Sequence, residues 1–348
     1  MQIQNPKVTF IIPVYNVAKY LCECLDSVVN QTLKEIQIIC VNDGSTDDSP
    51  AILNNYAAED QRITVINLPN SGQSIARNTA YDHVRGEYIF FVDSDDFIDL
   101  NAAKKLYTIA HDTNADLTLF NFAYCKDNSV PYKFTQNFAQ TETITNYQQR
   151  TKLILDSSGS LCDKFYRNDL LIRNKIRCPE KLYGEDQAVA FLSLAAADKI
   201  VTVPEPFYFY RMVAGSISHS YSRRKRQTDT IQVYDFIRAE LIRLGLFDEF
   251  QEVFSIRKLH VFYRHFRRAT YLTEKERMKI FRTNISNDDI KYFNKNKAGF
   301  KQNEKRVLSC IIENKPLSLS DKICDQLVRL TPILDRCKFF FRRRNSKK

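Results

Sequence analysis

The chain is short of the residues that punctuate a backbone. Of 348 residues only 8 are Gly and 10 are Pro, which excludes a low-complexity or collagen-like chain. No run approaches the ~18 apolar residues needed to cross a bilayer. The start, MQIQNPKVTFIIPVYN, lacks the charged n-region and apolar core of a signal peptide. The 9 Cys form no C-x-x-C pair and no His/Cys cluster with zinc spacing, so a reducing cytosol is the simplest setting. G-x-G-x-x-G and G-x-x-x-x-G-K-[ST] are both missing. That argues against a Rossmann dehydrogenase and a P-loop enzyme.

What is present is ordinary globular material: 44% hydrophobic and 26% charged residues. At about 150 residues per domain the length suggests two domains, with room for a small third module. The net charge of +10 is unevenly spread. Residues 1–100 hold 14 acidic and 6 basic side chains, so the rest of the chain carries an excess of 18 basic ones. An acidic first segment suits a metal or carboxylate site, and a basic remainder suits an anionic partner.

The first hundred residues alternate in a regular way. Val8–Val14, 36–41, 63–67 and 88–92 are short apolar runs fit for buried strands. Between them, helical spacing predicts helices over 19–31, from 47 or 48 to about 58, and 74–84. This βαβ alternation implies a mostly parallel sheet with helices on both faces. Ligands of such sheets bind beyond the carboxyl ends of the strands. Further on, 101–112 reads as a helix and 115–122 as a strand, with 129–145 irregular or a hairpin. Helices are expected over 147–155, 168–174 and 185–197, an extended segment over 201–210, and a helical, aromatic-rich pattern from 228 onward.

Four polar clusters follow the first four strands: Pro13-Val14-Tyr15-Asn16, Asn42-Asp43-Gly44-Ser45, Asn70-Ser71-Gly72 with Arg77 downstream, and Asp93-Ser94-Asp95-Asp96. Three carboxylates in four residues repel one another unless a cation is present. Oxygen ligands of this kind suit Mn²⁺ or Mg²⁺ held together with substrate phosphates. Asp43 can open an Asx-turn or accept a hydrogen bond from the N3–H of a uracil ring packed near Tyr15. Arg77 offers a fork of donors that a diphosphate or a nearby acid would accept.

Together, VTFIIPVYNVAKYLCECLDSVVNQT, VNDGSTDDS, NSGQSIARNTA and GEYIFFVDSDDFID resemble the N-terminal half of a family 2 glycosyltransferase with the GT-A fold. The likeness continues more thinly in LCDKFYRNDLL, YGEDQAVAF and YRMVAGSISHS, landmarks of bacterial members that build surface polysaccharides. The resemblance implies an α/β, GT-A (Rossmann-like) domain over 1–222, with a nucleotide-binding half at 1–100 and an acceptor half at 101–222. A helical C-terminal region would occupy 223–348. It also implies an inverting, metal-dependent enzyme that moves a hexose or N-acetylhexosamine from a UDP-sugar to a glycan acceptor.

Carried over to this chain, the resemblance puts Pro13, Tyr15, Asp43 and Asn70 around the nucleotide, with Arg77 near the diphosphate or ribose. Asp93 and Ser94 approach the ribose and sugar, and Asp95 binds the metal. Asp186 is the general base with Glu185 beside it. Such a base must take the acceptor hydroxyl proton as the new bond forms. His219 is expected to reach the metal or diphosphate, Arg211 the phosphates, and Lys164 the donor or acceptor sugar.

The segment from 317 to 348 sets apolar and aromatic residues beside Arg342-Arg343-Arg344 and Lys347-Lys348. This suits an interfacial helix on an anionic membrane surface, or a packed helix with a solvated tail. The expected setting is cytoplasmic, at most peripheral on the plasma membrane, with a lipid-linked glycan as the acceptor. No nucleic-acid-binding module accompanies the charge. The rival of another class is a non-catalytic nucleotide-sugar-binding scaffold, which the presence of Asp93, Asp95 and Asp186 disfavours.

Overall fold

The computed structural model describes residues 5–126, 129–135, 137–212, 228–269, 271–318 and 321–322. Its first hundred residues alternate as β1 (Val8–Val14), α1 (Ala18–Val29), β2 (Ile36–Asp43), α2 (Ser49–Glu59), β3 (Ile63–Leu68), α3 (Gln73–Tyr81) and β4 (Tyr88–Phe91). Then come β5 (Phe97–Ile98), α4 (Ala102–Thr113), β6 (Leu117–Cys125), β7 (Pro131–Phe134), β8 (Glu142–Ile144) and α5 (Tyr147–Asp156). They are followed by β9 (Lys164–Arg167), α6 (Asn168–Arg173), α7 (Glu185–Ala196) and β10 (Ile200–Arg211).

These strands join one sheet in the order β3-β2-β1-β4-β9-β6-β10-β5, with β7 on β6 and β8 on β10. Strands β1 to β4, β6 and β10 run one way, and β9 runs against its neighbours β4 and β6. The antiparallel β9 had no counterpart in the sequence pattern, because Lys164–Arg167 shows neither an apolar run nor clear alternation. Among the described residues of 129–145 no strand pairs with another. The two short strands there pair with different partners, β7 with β6 and β8 with β10.

The continuous apolar runs are explained by cover on both faces. Phe10, Ile12, Ile38, Cys40 and Phe90 meet Leu21, Leu25 and Val28 of α1, Leu53 of α2 and Leu106 of α4 in one core. On the other face the Tyr81 ring lies 5.8 Å from Phe91, and Phe91 lies 5.5 Å from Tyr166.

The chain divides into two compact units, Met1–Ser216 with Asp235–Phe250, and Ile217–Tyr234 with Gln251–Lys348. The C-terminal helices are α8 (Asp229–Arg243), α9 (Phe247–Arg268), α10 (Glu274–Thr283), α11 (Asn287–Lys295) and α12 (Gln302–Glu313). In the second unit Leu259, Phe293, Phe300 and Leu308 share a core. A buried ion pair joins Lys258 Nζ to Asp289 Oδ2 at 2.7 Å. Capping boxes at Thr273/Glu276 and Ser286/Asp289 start α10 and α11. The basic tail from 323 onward lies outside the described residues.

Lys164 opens β9 with its side chain fully buried. Its ammonium donates to Ser158 O, Ser160 O and Asp163 Oδ1 at 3.0, 2.8 and 2.6 Å. Replacement Lys164→Met would leave the buried Asp163 carboxylate without its countercharge. We expect a loss of about 3–5 kcal/mol of stability, the range for breaking one side of a buried pair. Urea unfolding of the variant measures it, and an unchanged midpoint would refute the pairing.

Candidate active site

The carboxyl ends of β1, β2, β3 and β4 lie along one edge of the sheet, because all four strands run in parallel. Each of the four polar clusters read from the sequence is therefore at that edge. Strand order runs from β1 out to β3, then resumes with β4 on the other side of β1. A reversal of this kind opens a crevice beyond the strand ends, where ligands of open α/β sheets bind.

The loops over β1, β2 and β3 are stitched together by polar side chains. Thr46 N–H donates to Asn16 Oδ1 at 2.7 Å, and Asn16 N–H donates to Ser45 Oγ at 3.1 Å. Asp43, buried at the end of β2, accepts from Ser71 N–H at 2.7 Å and Gly72 N–H at 2.8 Å, one on each oxygen. Each oxygen keeps a second lone pair. The close approach of these loops requires glycine at position 44. Its φ is +72°, and a Cβ there would sit 2.6 Å from the Asn70 nitrogen. Around this wall Pro13 is half-buried, and Tyr15 and Asn70 are exposed.

Arg77 is the centre of the arrangement. Its guanidinium is almost fully buried and donates Nη1 to Glu185 Oε1 at 2.7 Å and Nη2 to Asp93 Oδ1 at 2.8 Å. Burial alone would lower its pKa, but the charges of Asp93 and Glu185 outweigh that and raise it. Glu185 is 1% exposed, and its other oxygen accepts Gly184 N–H at 3.1 Å. Expected beside the base in a catalytic role, Glu185 is instead taken up by Arg77. The guanidinium likewise faces two acids inside the protein, the alternative to a diphosphate that its donor fork left open. The neighbouring Asp186, in the first turn of α7, stays half-exposed.

The acidic loop after β4 is graded in burial. Asp93 is about one-third exposed along its side chain, and the Cys162 thiol donates to its second oxygen at 3.2 Å. Asp95 is half-buried, and burial followed by the charge of Asp93 pushes its carboxyl up to about 6. Ser94 is buried beside it. Asp96 is 1% exposed, and burial, then Asp95 and Asp93, raise it well above the usual carboxylate range. Asp186 is pushed up to about 7 by burial and then by the charge of Glu185. Desolvation and like charge act together at all three.

Two expected sugar or phosphate contacts have other partners. Lys164 has no exposed surface, and its donors go to the 158–163 loop and Asp163. Arg211 is 2% exposed and is engaged behind the acidic loop with Glu23, Ser129 and the Asp95 carbonyl. His219 lies outside the described residues. Conversely, Cys162, Tyr208 and Asp96 touch or hold the acidic loop and were not singled out individually. Only Asp96 carried a signal, as the third acid of its cluster.

Among the described residues no three His, Cys, Asp or Glu side chains converge as a ready-made metal cage. The donor set at the acidic loop still fits a hard divalent cation. Mg²⁺ and its like take one or two carboxylates and complete their shell with phosphates and water. Asp95 offers such an oxygen pair, half-buried, with its charge raised in energy by burial and then by Asp93.

Raised carboxyl pKa values have a sign in stability. Asp95 and Asp186 hold protons more tightly folded than unfolded, where carboxylates titrate near about 4. Their contribution is therefore full below that value and is lost as pH rises through about 6 and about 7. Without metal, the wild-type melting temperature should fall more steeply from acidic to neutral pH than that of an Asp95→Asn/Asp186→Asn variant. Parallel curves in scanning calorimetry would contradict these shifts.

Comparison with known proteins agrees with this fold. The glycosyl transferase family 2 model matches residues 9–173. The chain is 32% identical over 227 residues to the putative glycosyltransferase EpsH of Bacillus subtilis, covering 64% of this chain and 65% of that protein. It is 32% identical over 231 residues to the glycosyltransferase GlyA of Streptococcus pneumoniae, covering 63% and 32%. The chain thus spans less than two thirds of the length of these relatives. In fold it is similar to the Staphylococcus aureus TarS 1–349 crystal structure in complex with UDP. That likeness has a TM-score of 0.58 at 22% identity, over 85% of this chain and 93% of that one. Over residues 9–173 the chain is thus similar to glycosyl transferase family 2, and its mixed, mostly parallel sheet is of the GT-A type.

Proposed function

We propose that this protein is an inverting glycosyltransferase that moves a hexose or N-acetylhexosamine from a UDP-sugar to a hydroxyl of a glycan acceptor in cell-surface polysaccharide synthesis. The observation that carries this reading is the double ion pair of Arg77. It draws the acidic loop after β4 and the start of α7, 108 residues from Arg77, onto one guanidinium. A donor-binding loop and a candidate base are thereby held within one side chain of each other. The TarS 1–349 structures in complex with UDP and with UDP-GlcNAc support the choice of a UDP-linked donor.

Asp43 and the loops around it form the wall for the uracil ring, with Tyr15, Pro13 and Asn70 beside it. Asp93 and Ser94 lie toward the ribose and sugar. Asp95 would hold Mn²⁺ or Mg²⁺, and the ion's contribution is to stabilise negative charge on the departing diphosphate. Asp186 accepts the proton of the acceptor hydroxyl as that oxygen attacks the anomeric carbon from the face opposite the diphosphate. Its raised pKa brings it close to the working pH, where a general base is most effective. Glu185 and Arg77 aim it. The acceptor is a growing glycan on a lipid carrier, at the inner face of the membrane. No described helix is long and apolar enough to cross that membrane.

The test is nucleotide release from a panel of UDP-, GDP-, CMP- and dTDP-sugars with Mn²⁺ or chelator. One UDP-sugar should be turned over in a metal-dependent way. Asp186→Asn should lose roughly 10²–10⁴-fold in rate while still binding UDP. Wild-type kcat/KM should rise with pH to a plateau above about 7. No UDP binding, or full activity in Asp186→Asn, would overturn the proposal.

A further inference from the structure

The acidic loop is fastened from behind by residues that the reaction does not use. Asp93 N–H donates to Tyr208 Oη at 3.1 Å, and Tyr208 Oη donates to Asp96 Oδ2 at 2.6 Å. The other Asp96 oxygen accepts Arg211 N–H at 2.7 Å. Arg211 then returns to the loop, with Nε donating to the Asp95 carbonyl at 2.8 Å. Backbone atoms on both sides of Ser94 are therefore held by two residues near the end of β10. Asp96, Tyr208 and Arg211 are each no more than 2% exposed.

The clamp is itself anchored outward. Arg211 Nη2 pairs with Glu23 Oε2 of α1 at 2.7 Å, and Nη1 donates to Ser129 Oγ at 2.7 Å. The guanidinium lies over the rings of Tyr20 and Phe97, 5.0 and 5.3 Å from their centroids. A planar cation with fixed donors on several sides suits a positioning task that a flexible ammonium would not. Besides closing on the Glu23 carboxylate, Arg211 closes on the main chain of Asp95, whose carboxylate is half-buried.

We infer that Arg211, Asp96 and Tyr208 are positioning residues that set the reach of Asp95, so that binding of a divalent cation with the nucleotide diphosphate depends on the end of β10. The inference rests on the donor site proposed above. It differs from the expectation that Arg211 touches the phosphates itself. Groups that orient a metal-binding side chain, without binding the ion, typically change metal affinity by 10–100-fold when replaced.

The experiment measures binding without turnover. Calorimetry with UDP is run on the full chain with Mn²⁺ and with chelator, and with uridine as a third ligand. The proteins are wild type, Arg211→Lys, Tyr208→Phe and Glu23→Gln. Glu23→Gln lies at the half-exposed outer end of the clamp, so it gives a result even if a buried variant fails to fold.

We expect the gain in UDP affinity on adding Mn²⁺ to shrink at least tenfold in Arg211→Lys, and by less in the other two. Affinity for UDP in chelator, and for uridine, should not change. Loss of UDP affinity in chelator with uridine binding intact would mean that Arg211 meets the phosphates directly, and would overturn the inference. An undiminished Mn²⁺ effect in all folded variants would reduce the clamp to a fold-stabilising contact. Wild-type protein that binds UDP equally with and without Mn²⁺ would overturn the inference and leave the donor site standing. Absence of wild-type UDP binding would remove both.

Discussion

The buried guanidinium of Arg77 is the interaction on which the site depends. Two carboxylates, on the loop after β4 and at the start of α7, meet one cation that is only 4% exposed. Removing a charge from water is costly unless it is paired and hydrogen-bonded, and here both conditions hold. The arrangement is self-consistent only when all three groups are present. Without Arg77, Glu185 would be a buried anion facing the charge of the partly exposed Asp93, and Arg77 without both would be an unpaired buried cation. The ion pairs hold α3, the acidic loop and α7 in a specific registry.

This economy of charge explains the different fates of five nearby acids. Asp93 and Glu185 are neutralised by Arg77, whereas Asp95 and Asp186, each next in the chain or one beyond, are not. They stay partly exposed, with raised pKa values. Asp96 goes further inward, where Tyr208 and the Arg211 amide satisfy its oxygens. Inside one short loop, the fold thus converts three chemically identical side chains into an anchor on arginine, a half-buried group without that countercharge and a buried strut. Elevated carboxyl pKa values next to a crevice are a recurring mark of functional sites.

Much of the frame was legible from local pattern. The apolar runs beginning at Val8, Ile36 and Tyr88 became parallel strands, because a strand covered on both faces must be apolar throughout, and the run at Ile63 joined them at the sheet edge. The polar clusters at the strand ends followed from topology, since parallel strands place all their carboxyl ends on one edge. Local pattern was blind to Lys164–Arg167. That strand pairs with β4 and β6, each distant in sequence, and has no periodicity of its own. It was equally blind to Cys162, whose thiol reaches Asp93 across 69 positions of chain.

The sequence by itself determined the α/β frame, the edge that carries the site and the residue types gathered there. These depend on short-range periodicity and turn chemistry, which a linear reading preserves. Only the tertiary structure decided which acid pairs with which base. Arg77, Lys164 and Arg211 are all basic residues near acidic motifs, and nothing local distinguishes a phosphate ligand from an internal counter-ion. Burial makes that distinction, because a desolvated charge must find its partner inside the protein. Hence Lys164 turns to Asp163, Arg211 to Glu23 and the Asp95 carbonyl, and Arg77 to two acids, one of them 108 residues away.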